Sequence, residues 1–138
     1  MFKAKIRAKD IMTKRVVTTT KETPIYEAVR RLRRNEVTGM PVVEDDMTLV
    51  GVLTEKDVLN LFYADEDEKK KTVNDFMTRP AVCYKEDDTL QAIYDFMMIN
   101  YFRRVPVTSK KGKVVGVISR PDLIDYILRI KDESSGVG

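Results

Sequence analysis

An internal duplication limits the fold of this chain more than any other feature of its sequence. Three short motifs and one aspartate recur at a constant offset of 65 residues. They are Asp-x-Met-Thr at residues 10 and 75, Pro-Val at 41 and 106, Val-Gly-Val at 50 and 115, and the aspartates Asp57 and Asp122. A copy of about 50 residues rarely buries its apolar face alone, so we expect the two copies to pack together about a pseudo-twofold axis.

The sequence pattern of each copy predicts a strand, a helix, two further strands and a second helix. Apolar residues at helical spacing mark the first helix, at Ile25, Ala28, Val29 and Leu32 and again at Leu90, Ile93, Tyr94 and Met97. The two strands follow, at about residues 41–43 and 49–53 and again at 107–108 and 114–118, around polar turns. Gly112 suits a turn with positive φ.

The second helix of each copy is predicted at about residues 55–63 and 120–130. It begins with the Ser/Thr-x-x-acid spacing of a helix start, at Thr54 with Asp57 and at Ser119 with Asp122. The sequence therefore predicts a mixed α/β (α+β) fold. The first repeat covers residues 8–63, a charged linker 64–71, the second repeat 72–131 and a disordered tail 132–138.

The composition excludes several classes of function. The chain has 138 residues, 34% of them charged, and a net charge of +3, which is low for a dedicated nucleic-acid binder but permits anionic small ligands. Without histidine there is no His-based metal site or catalytic relay, and the single Cys83 permits no intrachain disulfide or thiol cluster. Only scattered carboxylates remain as candidate catalysts, so we expect no enzyme activity, no metal and no catalytic cofactor.

The amino-terminal residues 1–12 alternate charged and apolar side chains. No apolar run here is long enough for a signal peptide or a membrane span. The default expectation is a cytoplasmic protein that has no membrane partner.

The two sets of motifs in register resemble the CBS domain pair, or Bateman module, over about residues 8–131. The resemblance rests on Asp-x-Met-Thr near each start, Pro-Val before each hairpin, and Gly-Val-Leu-Thr-Glu-Lys-Asp57 or Gly-Val-Ile-Ser-Arg-Pro-Asp122. It implies two clefts, often a disc-like homodimer, and AMP, ADP, ATP or S-adenosylmethionine as ligand. It also implies a stand-alone regulatory module for energy sensing, which passes a conformational signal to a protein partner.

The resemblance also implies which residues hold the ligand. Asp57 and Asp122 would hold the ribose hydroxyls, and Thr54 and Ser119 would lie by the ribose or phosphate. The adenine would meet the extended segments and the strand beside them, at Val16, Val17, Thr18, Met40 and Pro41 in the first copy and at Ala81, Val82, Cys83, Val105 and Pro106 in the second.

Elementary electrostatics favours the same placement, because a helix N-terminus attracts phosphate and a carboxylate can accept ribose hydroxyls. The copies differ there. Arg103, Arg104 and Arg120 of the second copy replace Thr38, Gly39 and Glu55 of the first. Arginine forms paired bonds to phosphate, so we predict the stronger site in the second copy. In the first copy Glu55 would repel phosphate and Lys56 would partly offset this, unless arginines of one copy reach the cleft of the other.

Several features of the sequence have a second interpretation. The Ser/Thr-x-x-Asp pairs are also helix caps. Residues 30–34, Arg-Arg-Leu-Arg-Arg, form either a solvated helix face or a nucleic-acid surface, which is the alternative function. Phe96, Met98 and Ile99 form a self-association surface or additional core, and Cys83 is expected to be a structural thiol.

Overall fold

The computed structural model describes residues 6–100 and 102–134 and confirms a mixed α/β fold. The helices are α1 (Ala8–Ile11), α2 (Ile25–Arg34), α3 (Glu55–Leu59), α4 (Leu90–Asn100) and α5 (Arg120–Ser134). The strands are β1 (Gly39–Val43), β2 (Leu49–Thr54), β3 (Tyr84–Lys85), β4 (Arg104–Thr108) and β5 (Val114–Ser119). Short 3₁₀ turns lie at Asn60–Tyr63, Glu68–Lys70 and Val73–Asp75. None of the described helices is long and apolar enough to cross a membrane.

The predicted helix, strand, strand and helix are present in both copies, but the last helices differ. In the first copy α3 ends at Leu59 and the chain continues as the 3₁₀ turn Asn60–Tyr63. In the second copy α5 runs to Ser134 and so includes residues 132–134, which the sequence assigned to the tail. Residues 135–138 of that tail lie outside the described residues.

The described chain forms two compact units whose boundaries differ from those of the sequence repeats. We call residues 16–82 with 111–114 the Asp57 unit. We call the described parts of residues 1–15, 83–110 and 115–138 the Asp122 unit. Each unit contains the helix–strand–strand–helix body of one copy and the Asp-x-Met-Thr segment of the other copy, which pattern reading of contiguous repeats did not predict.

The core of the Asp57 unit lies between α2 and a two-stranded antiparallel sheet. Ile25, Ala28 and Leu32 form the buried face of α2, as their spacing predicted. In the sheet β1 pairs with β2 from Gly39 opposite Thr54 to Val43 opposite Leu49. This register brings the start of β1 next to the residue that precedes α3.

The Asp122 unit is built around a three-stranded sheet of order β3-β4-β5. Strand β3 pairs parallel to β4, with Tyr84 opposite Val107. Helix α4 buries Leu90, Ile93 and Met97 in the same core, and α1 adds Ala8 and Ile11. The first copy therefore supplies part of the core around the second.

The surface of α4 is more exposed than its apolar sequence predicts. Tyr94, assigned to the core face, is 43% exposed, and Met98 and Ile99 are 56% and 72% exposed. Phe96 instead packs against the core and stacks on Phe102 with their ring centroids 5.6 Å apart. Phe96 is thus additional core, whereas Met98 and Ile99 leave an apolar surface.

The hairpin turns of the two copies have the same backbone conformation at equivalent positions. Gly112 has φ of +78°, as predicted, and Met47 has φ of 73°. The Leu49 amide donates to the Gly112 carbonyl at 3.0 Å, and the Val114 amide donates to the Met47 carbonyl at 2.9 Å. These reciprocal bonds join the two turns. Each turn has one residue at positive φ, a conformation that glycine adopts readily and methionine does not.

Candidate functional site

The first helix start is a capping box made by Thr54 and Asp57. The Thr54 amide donates to Asp57 Oδ2 at 2.9 Å, and the Asp57 amide donates to Thr54 Oγ1 at 3.3 Å. The Thr54 hydroxyl also donates to Asp57 Oδ2, at 3.0 Å. Both side chains are half-buried. This arrangement confirms the predicted cap and fixes the carboxylate at the N-terminus of α3.

Ser119 and Asp122 form the equivalent contacts at the start of α5. The Ser119 amide and hydroxyl donate to Asp122 Oδ2 at 2.7 and 2.9 Å. Ser119 is buried, with 8% of its surface exposed, and Asp122 is half-buried. Helix α5 has 15 residues and α3 only five, so the partial charge of aligned backbone dipoles is better developed at Asp122.

The threonines of the two Asp-x-Met-Thr motifs complete these helix starts, and sequence reasoning assigned them no role. The Thr13 hydroxyl donates to Asp122 Oδ1 at 2.7 Å, and the Thr78 hydroxyl donates to Asp57 Oδ1 at 2.9 Å. Each aspartate thus receives a hydroxyl bond from the motif of the other copy. The sequence shows that Asp-x-Met-Thr recurs. It does not show that each motif contacts the aspartate of the other copy.

Backbone pairing holds each threonine in place. The Thr13 amide donates to the Val117 carbonyl at 2.8 Å, and the Val117 amide donates back at 2.9 Å. Thr78 and Val52 make the same pair of bonds, both at 2.9 Å. The Asp-x-Met-Thr segments therefore add a short bridge beside β5 and beside β2.

The glycine of each Val-Gly-Val motif permits this close approach. A Cβ at Gly116 would overlap the Sδ of Met12 and lie 2.7 Å from its Cγ and 3.0 Å from the Thr13 carbonyl oxygen. A Cβ at Gly51 would lie 2.8 Å from the Thr78 carbonyl oxygen. In each unit the Asp-x-Met-Thr segment, rather than open space for a ligand, covers the glycine.

The predicted phosphate-binding arginines lie on the surface of the Asp122 unit. Arg103 precedes β4, Arg104 begins β4 and Arg120 is the first residue of α5, and all three are exposed. The part of the chain that the structure describes places no carboxylate in ion-pair contact with them. The first copy pairs Gly39 with Thr54, which are equivalent to Arg104 and Ser119.

In the Asp57 unit, Glu55 is the exposed first residue of α3, and its amide donates to the Thr38 carbonyl at 3.0 Å. Lys56, the next residue, is also exposed. This helix start therefore combines the exposed Glu55 carboxylate and Lys56 ammonium group with the capping carboxylate of Asp57.

The residues predicted to meet adenine differ in accessibility. The strand residues are buried in their own units: Met40 and Val105 are each 1% exposed, and Pro41 and Pro106 are buried as well. The extended segments are more accessible. Val16, Val17, Thr18, Ala81 and Cys83 are half-buried, and Val82 is 41% exposed. The segments rather than the strand side chains therefore offer surface to a base.

Two of these segment residues already have polar contacts. The carbonyl of Thr18 accepts a hydrogen bond from Arg31 Nε at 2.7 Å. Arg31 therefore ties α2 to its own unit, and the solvated face of that helix is carried by Arg30, Arg33 and Arg34. Cys83 Sγ lies 3.8 Å from the Thr108 hydroxyl, which fits the predicted structural thiol.

A cavity of about 300 Å³ lies beside Asp122. Asp10, Thr13 and Asp125 line it together with Arg129, whose guanidinium lies 5.0 Å from the ring centre of Tyr126. Asp122 is the one predicted site residue among its described lining. Within residues 6–100 and 102–134 no three metal-ligating side chains are grouped to hold a metal ion.

Comparison with known proteins identifies the repeats. The family model of the CBS domain matches residues 8–64 and 73–129. Inosine-5'-monophosphate dehydrogenase of Methanocaldococcus jannaschii is 29% identical over 118 residues, but these cover 86% of this chain and 23% of the enzyme. The match is therefore to a minor part of that longer protein.

Two solved structures share the fold over nearly the whole chain. CBSX2 from Arabidopsis thaliana, in complex with AMP, has a TM-score of 0.80 and 31% identity over 91% of this chain and 98% of the other. The CBS domain pair of protein MJ0100, in complex with 5-methylthioadenosine and S-adenosyl-L-methionine, has a TM-score of 0.72 and 26% identity over 88% and 95%. With two matched copies that together span most of its length, the chain belongs to the CBS domain family.

Proposed function

We propose that this chain is a regulatory module that binds an adenine nucleotide at the start of α5. The observation that carries the proposal is the fixed Asp122 carboxylate at the N-terminus of a 15-residue helix, with Arg120, Arg103 and Arg104 exposed in the same unit. Asp122 would accept ribose hydroxyls, and the arginines and the helix N-terminus would bind phosphate.

The relatives support this choice of ligand class. CBSX2 binds AMP, and the CBS pair of MJ0100 binds two adenosine compounds, at 31% and 26% identity to this chain. Adenosine with a ribose diol is the part that these ligands share. The exposed arginines favour the phosphate-bearing AMP, ADP or ATP over the cationic S-adenosylmethionine.

We rank the Asp57 helix start as the weaker site. Its helix has five residues, and Glu55 takes the position of Arg120. Each hydrogen bond to a charged group contributes about 1.5–3 kcal/mol. Losing two such bonds lowers the affinity by at least about a hundredfold. A ligand with less negative charge fits the Asp57 site better.

The output of such a module is a change in conformation or in partner binding rather than a chemical reaction. A ligand shifts a conformational equilibrium only by binding one state more tightly than the other. We therefore expect a regulated protein partner in the cytoplasm and no catalytic turnover.

Binding is tested by a thermal-shift series with AMP, ADP, ATP, S-adenosylmethionine and NADH, followed by calorimetry on any compound that shifts Tm. A ligand at 100 times its Kd adds about 2.7 kcal/mol of stability and should raise Tm by roughly 5–10 °C. If none of these compounds shifts Tm, the proposal fails.

The variant Asp122→Ala identifies the site. It should abolish the ligand-induced shift, whereas Asp57→Ala should retain it. Because Asp122→Ala also removes a helix cap, each ligand shift is measured against the same variant without ligand. Asp75→Ala is the matched control, since Asp75 Oδ2 accepts from the Thr72 amide at 3.1 Å in a similar capping box. A full shift in Asp122→Ala would refute the ranking of sites.

We further propose self-association through apolar residues at equivalent positions of the two copies, which lie in α3 and the 3₁₀ turn after it and in α5. Leu59, Phe62 and Tyr63 are 57%, 80% and 96% exposed, and their equivalents Ile124, Ile127 and Leu128 are 55%, 62% and 54% exposed. Six large exposed apolar side chains at equivalent positions are more than a surface that contacts only water usually has.

Self-association is tested by light scattering, which should give a dimer mass at micromolar protein. The variant that carries Phe62→Ser and Ile127→Ser should give a monomer mass. A monomer mass for the unmodified chain would refute this.

The alternative function is nucleic-acid binding through α2, and the exposed Arg30, Arg33 and Arg34 favour it. These side chains have no aromatic residues between them to stack on bases. Binding of DNA or RNA that weakens steeply with salt, and that Arg33→Gln with Arg34→Gln abolishes, would support this alternative over nucleotide sensing.

A further inference from the structure

We propose that the hydroxyls of Thr13 and Thr78 compete with ribose hydroxyls for Asp122 and Asp57, and so set the affinity and the hydroxyl selectivity of the two helix starts. This inference rests on the proposed function. It assigns a ligand-selecting role to two residues that lie outside the Ser/Thr-x-x-Asp motif.

Asp122 already accepts so many hydrogen bonds that a ribose diol has to compete with them for acceptor positions. A carboxylate has about four acceptor positions, two on each oxygen. At Asp122, Oδ2 accepts from both the amide and the hydroxyl of Ser119, and Oδ1 accepts from Thr13. One position therefore remains, while a ribose diol offers two hydroxyls. To accept both, Asp122 has to release one of its present donors.

Burial decides which donor leaves. Ser119 is 8% exposed, so its hydroxyl would lose a bond with little access to water, and its amide would leave the helix cap. Thr13 is exposed, so water can replace the lost acceptor. The backbone of Thr13 stays paired with Val117, and only its χ1 angle has to change.

The Asp57 unit repeats this geometry. Asp57 Oδ2 accepts twice from Thr54, and Oδ1 accepts from the exposed Thr78 at 2.9 Å. In both units the yielding hydroxyl comes from the Asp-x-Met-Thr segment of the other sequence copy. A ligand at one aspartate therefore acts directly on a side chain supplied by the other copy.

The test compares Thr13→Val, which removes the hydroxyl and keeps the shape, with Thr13→Ser, which keeps the donor. Without ligand, Thr13→Val should melt lower than the unmodified chain because Asp122 loses a hydrogen bond. By calorimetry it should bind AMP roughly two- to tenfold more tightly, since one competing bond is gone. Thr13→Ser should change neither value. A residue with a merely structural role would lower stability and affinity together.

Deoxynucleotides sharpen the test. Because 2'-deoxy-AMP and 3'-deoxy-AMP each offer only one hydroxyl of the diol to the one remaining acceptor position, Thr13→Val should show no gain in affinity for either analogue. Thr13→Ala replaces Thr13→Val if the latter does not fold.

The two proposals fail in different ways. Unchanged or weaker AMP binding by Thr13→Val, with normal binding by the unmodified chain, overturns the competition alone. If neither the unmodified chain nor the variants bind any adenine nucleotide, the proposed function fails, and the competition fails with it.

Discussion

Substituting Gly116 by alanine tests whether the Asp-x-Met-Thr segment is held by close packing on the glycine. The added Cβ would lie 2.7 Å from Met12 Cγ and 3.0 Å from the Thr13 carbonyl oxygen, and it would overlap Met12 Sδ. Overpacking of this kind costs about 1–3 kcal/mol. Alanine recovers about 0.4–1 kcal/mol by restricting the unfolded chain. We therefore expect Gly116→Ala to lower the free energy of unfolding by about 1–2 kcal/mol.

The assay is urea unfolding followed by circular dichroism and by tyrosine fluorescence, whose coincidence checks two-state behaviour. Met12→Ala removes the side chain that the new Cβ meets first. The double variant should therefore lose less stability than the sum of the single variants, by about 1 kcal/mol. Additive losses, or a change below about 0.5 kcal/mol in Gly116→Ala, would show that the packing is not as we describe.

The equivalent glycine supplies a matched control. At Gly51 the closest atom to an added Cβ is the Thr78 carbonyl oxygen at 2.8 Å, with Met77 Sδ at 3.1 Å. A backbone atom cannot be removed by mutation. Gly51→Ala should therefore destabilise to a similar degree, while Met77→Ala should rescue it less than Met12→Ala rescues Gly116→Ala. Equal rescue in both units would contradict the difference in closest contacts.

Three further predictions concern the hairpin turns. Gly112→Ala should lower the free energy of unfolding by about 1 kcal/mol, because alanine is strained at φ of +78°. No other atom lies within 4 Å of the added Cβ, so this strain is the main effect of the substitution. Met47→Gly should instead raise the urea midpoint, because glycine adopts the φ of 73° without the strain that methionine has there. An unchanged or lower midpoint would contradict this reasoning. The Thr48 hydroxyl and amide, which donate to Asp46, hold the pKa of Asp46 below its ordinary 3.8. This stabilisation is present above pH 3.8 and is lost as the pH falls through the lowered pKa, so Thr48→Val should raise the Asp46 pKa in a carboxyl NMR titration.

Local sequence patterns were sufficient to predict the repeated body of the fold. The spacing of Ile25, Ala28 and Leu32 predicted the buried face of α2, because helical periodicity and burial are directly linked. The Thr54–Asp57 spacing predicted a helix cap for a similar local reason. The positive φ at Gly112 followed from turn chemistry. Each of these signals lies within a few residues of its consequence.

The exchange of the Asp-x-Met-Thr segments could not be predicted in the same way. The hydrogen bond from Thr13 to Asp122 joins residues 109 positions apart, and no periodicity reports such a contact. The exposure of Tyr94 and the inward packing of Phe96 depend on tertiary contacts for the same reason. The predicted ligand contacts remain predictions, because they concern a molecule outside the chain.

The exchange has a consequence for how the two sites respond to substitution. Thr13 donates a hydrogen bond to the Asp122 carboxylate, and Met12 packs against Gly116. Thr13 and Met12 belong to the first sequence copy, whereas Asp122 and Gly116 belong to the second. A change at residues 12–13 should therefore alter ligand binding at Asp122 and leave Asp57 unaffected. The reverse holds for residues 77–78 and Asp57. Each helix start thus depends on both copies. The aspartate and Val-Gly-Val motif of each copy therefore contact the Asp-x-Met-Thr segment of the other copy, and the same contacts recur in both units.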